Sequence, residues 1–312
     1  MKITNLTVGG VPVKNNVFLA PMAGYTDYSI RKLQIRNGIG LTFTELVSAK
    51  GLCYGGDGSK ELLYSEGDEG QTAVQIFGSE EYYMRSACES DMLAPFKFVD
   101  INMGCPVPKV FKNGEGSALL TDIKKAEKIV KECVKSGKII TVKIRTGQKK
   151  GDDVASEFCK MAENSGASLV TVHGRVREDY YSGEPDFCAI ERAKKSVKIP
   201  VIANGGIFTV NDAEKMVDRT GADGVMLARG AIANPFLVCQ LLNVSPSSSL
   251  KEYIKEHLKL TTKIYPDKKA ALEFRKFTPY YFKGMTGLKE LKLKIQTAES
   301  TSEIIQLIER GL

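Results

Sequence analysis

No uninterrupted apolar run in this chain approaches the roughly 18 residues that a membrane-spanning helix needs, so no membrane association is expected. The amino terminus, MKITNLTVGG, lacks the apolar core of a secretory leader. Seven cysteines stand at 53, 88, 105, 133, 159, 188 and 239; the number is odd and no CxxC pair occurs, so no metal site is expected. Reduced thiols in a cytoplasmic protein are the expected state. Tryptophan is absent, which leaves 12 Tyr and 13 Phe to supply every aromatic contact. No GxGxxG turn follows the first apolar segment, which argues against a doubly wound dinucleotide-binding sheet. Internal repeats and low-complexity tracts are also missing. The charge is only mildly one-sided: 44 basic against 37 acidic side chains, net +7, permits a polyanionic partner without requiring one.

What is present is enough apolar material for a full-sized core, 43% of 312 residues, and a regular alternation of segment types. Val17–Ala20, Leu41–Glu45, Ala73–Phe77, Phe98–Asn102, Ile140–Ile144, Leu169–His173, Pro200–Asn204 and Gly224–Leu227 read as buried parallel strands, rich in Val, Ile, Leu and Phe. Thr121–Ser136, Val154–Ser165 and Asn211–Thr220 have helical spacing, with Asn211 the expected N-cap and Gly221 the expected stop. Eight strands alternating with helices predict an α/β fold, a (β/α)8 TIM barrel over residues 1–242. The Ser/Pro-rich stretch NVSPSSSL follows, and residues 243–312 are expected to form a small C-terminal all-helical domain. From Lys251 onward thirteen Lys and Arg face eight Asp and Glu, an excess of five, so most of the net positive charge lies in the last fifth of the chain. Solvated helix faces or a phosphate-contacting surface both account for it.

The run DINMGCPVPK, from Asp100 to Lys109, places Cys105 between a glycine and a proline just past a strand, three residues after Asn102. Two readings stand: a thiol positioned for chemistry beside a donor–acceptor amide, or a buried loop cysteine. The remaining strand ends weigh on the first. In a barrel they converge on one face. They bring Pro21, Met22 and Ala23; Glu45; Gln75; Lys143 and Arg145; His173 and Arg175; Asn204, Gly205 and Gly206; and Arg229. Loops after the seventh and eighth strands often bind phosphate through backbone N–H groups, with glycine allowing close approach and arginine adding charge. FMN fits such a ring, with Gln75 and Lys143 toward its polar edge. Schiff-base chemistry at Lys143, as in barrel aldolases, is the rival for that lysine.

At this point the chain resembles the tRNA-dihydrouridine synthases, closest to the bacterial B-type branch. The resemblance runs from about Phe18 to Phe236 and weakly beyond. It rests on APMAGYTD (Ala20–Asp27), TELVSAKG (Thr44–Gly51), VQIFGS (Val74–Ser79), DINMGCPVPKV (Asp100–Val110) and GSALL (Gly116–Leu120). It continues with VKIRTG (Val142–Gly147), VHGR (Val172–Arg175), PVIANGGI (Pro200–Ile207) and GADGVMLARGAIANP (Gly221–Pro235). It implies flavin contacts at Pro21, Met22, Ala23, Gln75, Lys143, His173, Asn204, Gly205, Gly206, Ala228 and Arg229. It implies Cys105 as proton donor and Asn102, Arg145 and Tyr181 near the substrate uracil. NADPH reloading the bound FMN, and tRNA held by the helical domain, follow from the same resemblance. Departures occur at Gly206, where the family commonly has Asp, at Asp179 for Gln, and at Phe187 and Phe236 for Trp.

The chemistry expected is hydride delivery from reduced flavin to C6 of uracil and a proton from Cys105 to C5, with the target base out of its stack. A flavin barrel acting on a free pyrimidine, like dihydroorotate dehydrogenases, is the alternative enzyme. A non-catalytic RNA-binding protein leaves the ring of strand-end residues unexplained. A monomer is the default expectation.

Overall fold

Residues at alternate positions along each strand point to opposite faces, and in this chain that alternation separates two cores. The computed structural model describes residues 1–56 and 58–312. Eight parallel strands form the barrel: β1 (Val17–Leu19), β2 (Thr42–Phe43), β3 (Thr72–Phe77), β4 (Phe98–Met103), β5 (Ile139–Gly147), β6 (Leu169–Val176), β7 (Val201–Asn204) and β8 (Gly224–Leu227). From β2 to β8 each strand pairs with its successor, and β8 returns to β1. Between β1 and β2 the seam is one bridge, Phe18 to Leu41. All eight expected strands are therefore present. β2 is shorter than Leu41–Glu45 because Leu41 takes the seam bridge and the Glu45 carboxylate turns to accept the Gly24 N–H.

Inside the barrel, Phe18, Leu41, Phe43, Ala73, Phe98, Leu169, Ile202 and Met226 form a compact apolar floor. An N-terminal hairpin, Leu6–Val8 with Val11–Val13, closes the bottom by packing Val8 and Val13 against it. Nothing in the sequence announces this hairpin, since three-residue strands carry almost no periodic signal. Outside, the other strand faces meet the helices in one continuous core. Those helices begin at polar caps: Asp27, Asp122, Asp186 and Thr209 each accept a backbone N–H in the first turn. The helix expected to start at Asn211 spans Val210–Thr220. Thr209 and Asp212 form its capping box, a reciprocal pair Asn211 cannot supply, while Gly221 ends it as expected.

Beyond residue 242 the chain is helical: Leu250–Thr261, Asp267–Arg275, Thr278–Tyr281, Lys289–Thr297 and Thr301–Gly311. His257, Phe274, Phe277 and Tyr281 pack their rings together within it. Its apolar residues join the shell around the barrel, with Tyr253 edge-on to Phe236 and Phe277 edge-on to Tyr25. Gln34 donates to both the Tyr253 hydroxyl and the Pro235 carbonyl, which pins this region to the first barrel helix, Tyr28–Arg36.

Phe98 is fully buried on the barrel floor. Phe98→Ala is expected to cost about 3–5 kcal/mol of stability, read as a lowered urea midpoint.

Candidate active site

Above the apolar floor the inward positions turn polar, and strand register decides which side chains meet. Gln75 lies beside Asp100, Asp100 beside Thr141, Asn102 beside Lys143, Arg145 beside His173, and His173 beside Asn204. These side chains sit under or around a cavity of about 530 Å³ at the C-terminal ends of the strands. Its wall includes Pro21, Met22, Ala23, Asn102, Cys105, Lys143, Arg145, His173, Tyr181, Asn204, Gly205, Gly206, Ala228 and Arg229. Of the strand-end residues proposed from sequence, Gln75 and Glu45 are absent from the wall. Gln75 is wholly buried one layer below, behind Asn102.

A single chain of hydrogen bonds runs up from the interior. Thr141 Oγ1 donates to Asp100 Oδ1 at 2.5 Å, and Gln75 Nε2 donates to Asp100 Oδ2 at 2.6 Å. Asn102 Nδ2 donates to Gln75 Oε1 at 2.8 Å. Asn102 Oδ1 then accepts the N–H of Cys105 at 2.9 Å and of Gly104 at 3.2 Å. Burial raises the Asp100 carboxyl to about 6, opposed by the Gln75 and Thr141 bonds and the Lys143 charge. Behind the cysteine loop, Gly116 has φ +61°, and a side chain there would press on the Cys105 carbonyl and Cβ. Ser117 N–H donates to that same carbonyl. The GSALL motif thus backs the cysteine.

The Cys105 thiol is half-buried, and burial pushes it up from its ordinary value, against pulls from the Val107 N–H and the Arg145 charge. Lys143 is brought down to about 8 by burial first and by Arg145 second, with Asp100 opposing; its ammonium donates to Asn204 Oδ1 at 3.1 Å. Arg145 is committed to backbone, donating to the carbonyls of Gly104, Val176 and Tyr180. It staples the cysteine loop to the loop after β6. Glu45, at the end of β2, lies off the cavity wall and is raised to about 6 by burial.

The opposite end of the cavity is cationic. His173 is driven well below its usual value by burial and the surrounding Lys143, Arg145, Arg175 and Arg229 charges, so its ring is neutral. Arg175 approaches His173 Nε2 at 3.2 Å. A guanidinium only donates, so this nitrogen accepts and the ring proton belongs on Nδ1. Exposed Arg229 has no carboxylate within ion-pair distance among the described residues; it stacks on Tyr181 and donates only to the Tyr181 carbonyl. Gly205 and Gly206 have φ +126° and +70°, and a side chain at Gly205 would meet the His173 ring at 3.0 Å. Glycines that bare their backbone beside unpaired guanidinium groups fit a phosphate.

Sequence reasoning passed over two residues here. Asp100 had a visible signal, an acid inside an apolar strand two positions before Asn102. Tyr280 had none: it reaches the cavity from the helical region and packs edge-on to Tyr25.

The raised thiol predicts that Cys105 alkylation by iodoacetamide has a midpoint above the ordinary cysteine value of about 8.5. Peptide mass spectrometry separates it from the exposed Cys53 and Cys188; a midpoint at or below that value contradicts the burial argument.

A family profile described as Dihydrouridine synthase (Dus) matches residues 18–310. A tRNA-dihydrouridine synthase B from Pasteurella multocida is 34% identical over 290 residues, covering 90% of this chain and 87% of that protein. A probable tRNA-dihydrouridine synthase from Rickettsia prowazekii is 37% identical over 264 residues, covering 83% and 81%. Among solved structures, a morphinone reductase variant with tetrahydroNAD aligns with TM-score 0.55 at 15% identity, over 78% of this chain and 90% of that one. A histamine dehydrogenase from Rhizobium sp. 4-9 aligns with TM-score 0.56 at 15% identity, over 82% of this chain, which spans 50% of that longer one. At such identities these structures support the barrel fold alone. The sequence matches cover the strands, the cavity wall and the helical region together: the chain belongs to the dihydrouridine synthase family.

Proposed function

We propose that this protein reduces uridines in tRNA to 5,6-dihydrouridine, using FMN as the bound cofactor and NADPH as the reductant. The observation that carries the reading is the joint placement of Cys105, Asn102 and Lys143 on one wall of a cavity whose far end is cationic. Family membership implies a flavin. The Gly205–Gly206 backbone and Arg229 would hold the FMN phosphate, and Pro21, Met22, Ala23, Lys143, His173, Asn204 and Ala228 would surround the rest, with Gln75 acting from behind. When reduced, the bound cofactor supplies hydride to C6 of the uracil.

This chain's own residues do the remaining work. Cys105, held protonated by burial, gives its proton to C5 as general acid. Asn102 keeps one amide N–H beyond its bond to Gln75 and offers it to the ring. Lys143 offsets negative charge that develops on the substrate carbonyl or the cofactor edge. Arg145 and Tyr181 border the base, Arg145 by fixing the loops on either side. The helical region, residues 243–312, grips the folded RNA through phosphate contacts. Exposed Lys283 and Lys289, which follow Tyr280 in the chain, have no ion-pair partner among the described residues.

Cys105→Ala is expected to keep flavin and NADPH oxidation while losing about 10²–10⁴ in uridine reduction, measured by dihydrouridine content in tRNA; normal turnover refutes the acid role. Activity should fall as pH rises through about 8, where Lys143 loses its proton, and Lys143→Arg should move that limb upward; an unmoved limb removes the charge role. Lys283→Glu with Lys289→Glu should lower the slope of log affinity against log salt by roughly one per lost contact. An unchanged slope places the RNA elsewhere.

A further inference from the structure

We propose that Asp100 is a positioning residue: its buried carboxylate fixes which way the Gln75 and Asn102 amides face, and through Asn102 it holds the Cys105 loop in place. The inference deepens the reading of Cys105 as proton donor and takes its functional meaning from it.

The argument is one of direction. An ionised carboxylate accepts hydrogen bonds and donates none. Asp100 takes the Thr141 hydroxyl on one oxygen and the Gln75 amide on the other. Gln75 must therefore turn its NH₂ inward and its carbonyl oxygen toward Asn102. Asn102 must then donate to that oxygen and turn its own carbonyl oxygen upward, where the Gly104 and Cys105 N–H groups need an acceptor. Each amide has two orientations, and the acid at the base of the chain and the two loop N–H groups at its top select the same one. All three side chains are buried, so a reversed amide would leave donor facing donor at a cost. Asp100 does not line the cavity. Its influence reaches Sγ only through two amides and a loop.

Asp100→Asn keeps the shape and removes the direction. The Thr141 hydroxyl can also accept, but its hydrogen has no other acceptor among the described residues, so donating to the one oxygen that the substituted side chain retains keeps that hydrogen paired. The new NH₂ then faces Gln75. Gln75 and Asn102 reverse in turn, and the Cys105 loop loses its acceptor. Adding Gln75→Glu restores the direction without changing the total charge, because a carboxylate at 75 accepts from the new NH₂ below and from Asn102 above.

The experiment reads Cys105 alkylation by iodoacetamide across pH in the full-length protein as purified, by peptide mass spectrometry. Asp100→Asn is expected to release the loop, raising the Cys105 rate at neutral pH by about tenfold, the scale of one lost buried hydrogen bond. Asp100→Asn combined with Gln75→Glu is expected to return the profile to that of the wild type. An unchanged profile in the single variant, or no return in the double, overturns the proposal. Where Asp100→Asn does not fold, wild-type amide exchange decides. Protection of the Gly104 and Cys105 N–H groups should drop about tenfold as pH falls through about 6, while Ile101 and Met103 stay protected; equal protection throughout overturns it. The charged groups facing this network are Lys143 and Arg145 on β5 and His173 on β6. Lys143 and Arg145 keep their charge in that range, and His173 stays neutral. Glu45 titrates nearby but bonds Gly24 on the far side of β2. Failure of these readings leaves the Cys105→Ala turnover test standing, and normal turnover in that variant would remove the functional meaning while leaving the network result intact.

Discussion

A closed ring of eight strands leaves inward-pointing side chains no direction except toward one another. Apolar ones solve this by packing, as Phe18, Phe98 and Met226 do at the floor. Polar ones solve it only by completing hydrogen bonds, since a buried group without a partner costs about 1–3 kcal/mol. The upper half of this barrel is therefore a set of mutual commitments: acid to amide, amide to amide, amide to loop, lysine to asparagine. Chemistry is available only from the few groups left with capacity to spare. Among the described residues these include the thiol of Cys105, one N–H of Asn102, the ammonium of Lys143 and the guanidinium of Arg229.

That constraint changes how individual residues are understood. Arg145 is a positive charge near the base by sequence alone, yet three carbonyls occupy its guanidinium and make it a fastener between two loops. Gln75 looks like a ligand contact, yet both ends of its amide serve the layer around it. His173 looks like a titrating group, yet burial first and four surrounding cations second hold it neutral.

The strand segments were legible because each is a short, intensely apolar run, and the cavity residues because they cluster at the ends of those runs. The register was not. Nothing in the string of letters says that Asn102 stands beside Lys143 while Gln75 stands beside Asp100, because pairing is set by how the whole ring closes. The helical region was visible only in part. Leu250, Ile254 and Leu258 show helical spacing, but Asp267–Arg275 and Thr278–Tyr281 carry mixed patterns that make sense only against the barrel. The contacts by which this region meets the barrel, Tyr253 with Phe236 and Phe277 with Tyr25, carry no periodic signal at all.

The seam between β1 and β2 is held by one bridge, whereas β4, β5 and β6 on the cysteine side share long ladders. Directly above it runs the Pro21–Tyr25 segment, tied by the Glu45 carboxylate to the Gly24 N–H and braced by Tyr280 from the helical region. A cylinder with one thin stave yields there first under load. A force applied to the helices by a large docked molecule would consequently arrive at the rim of the cavity, with little of it absorbed by the stiffer wall that carries the cysteine.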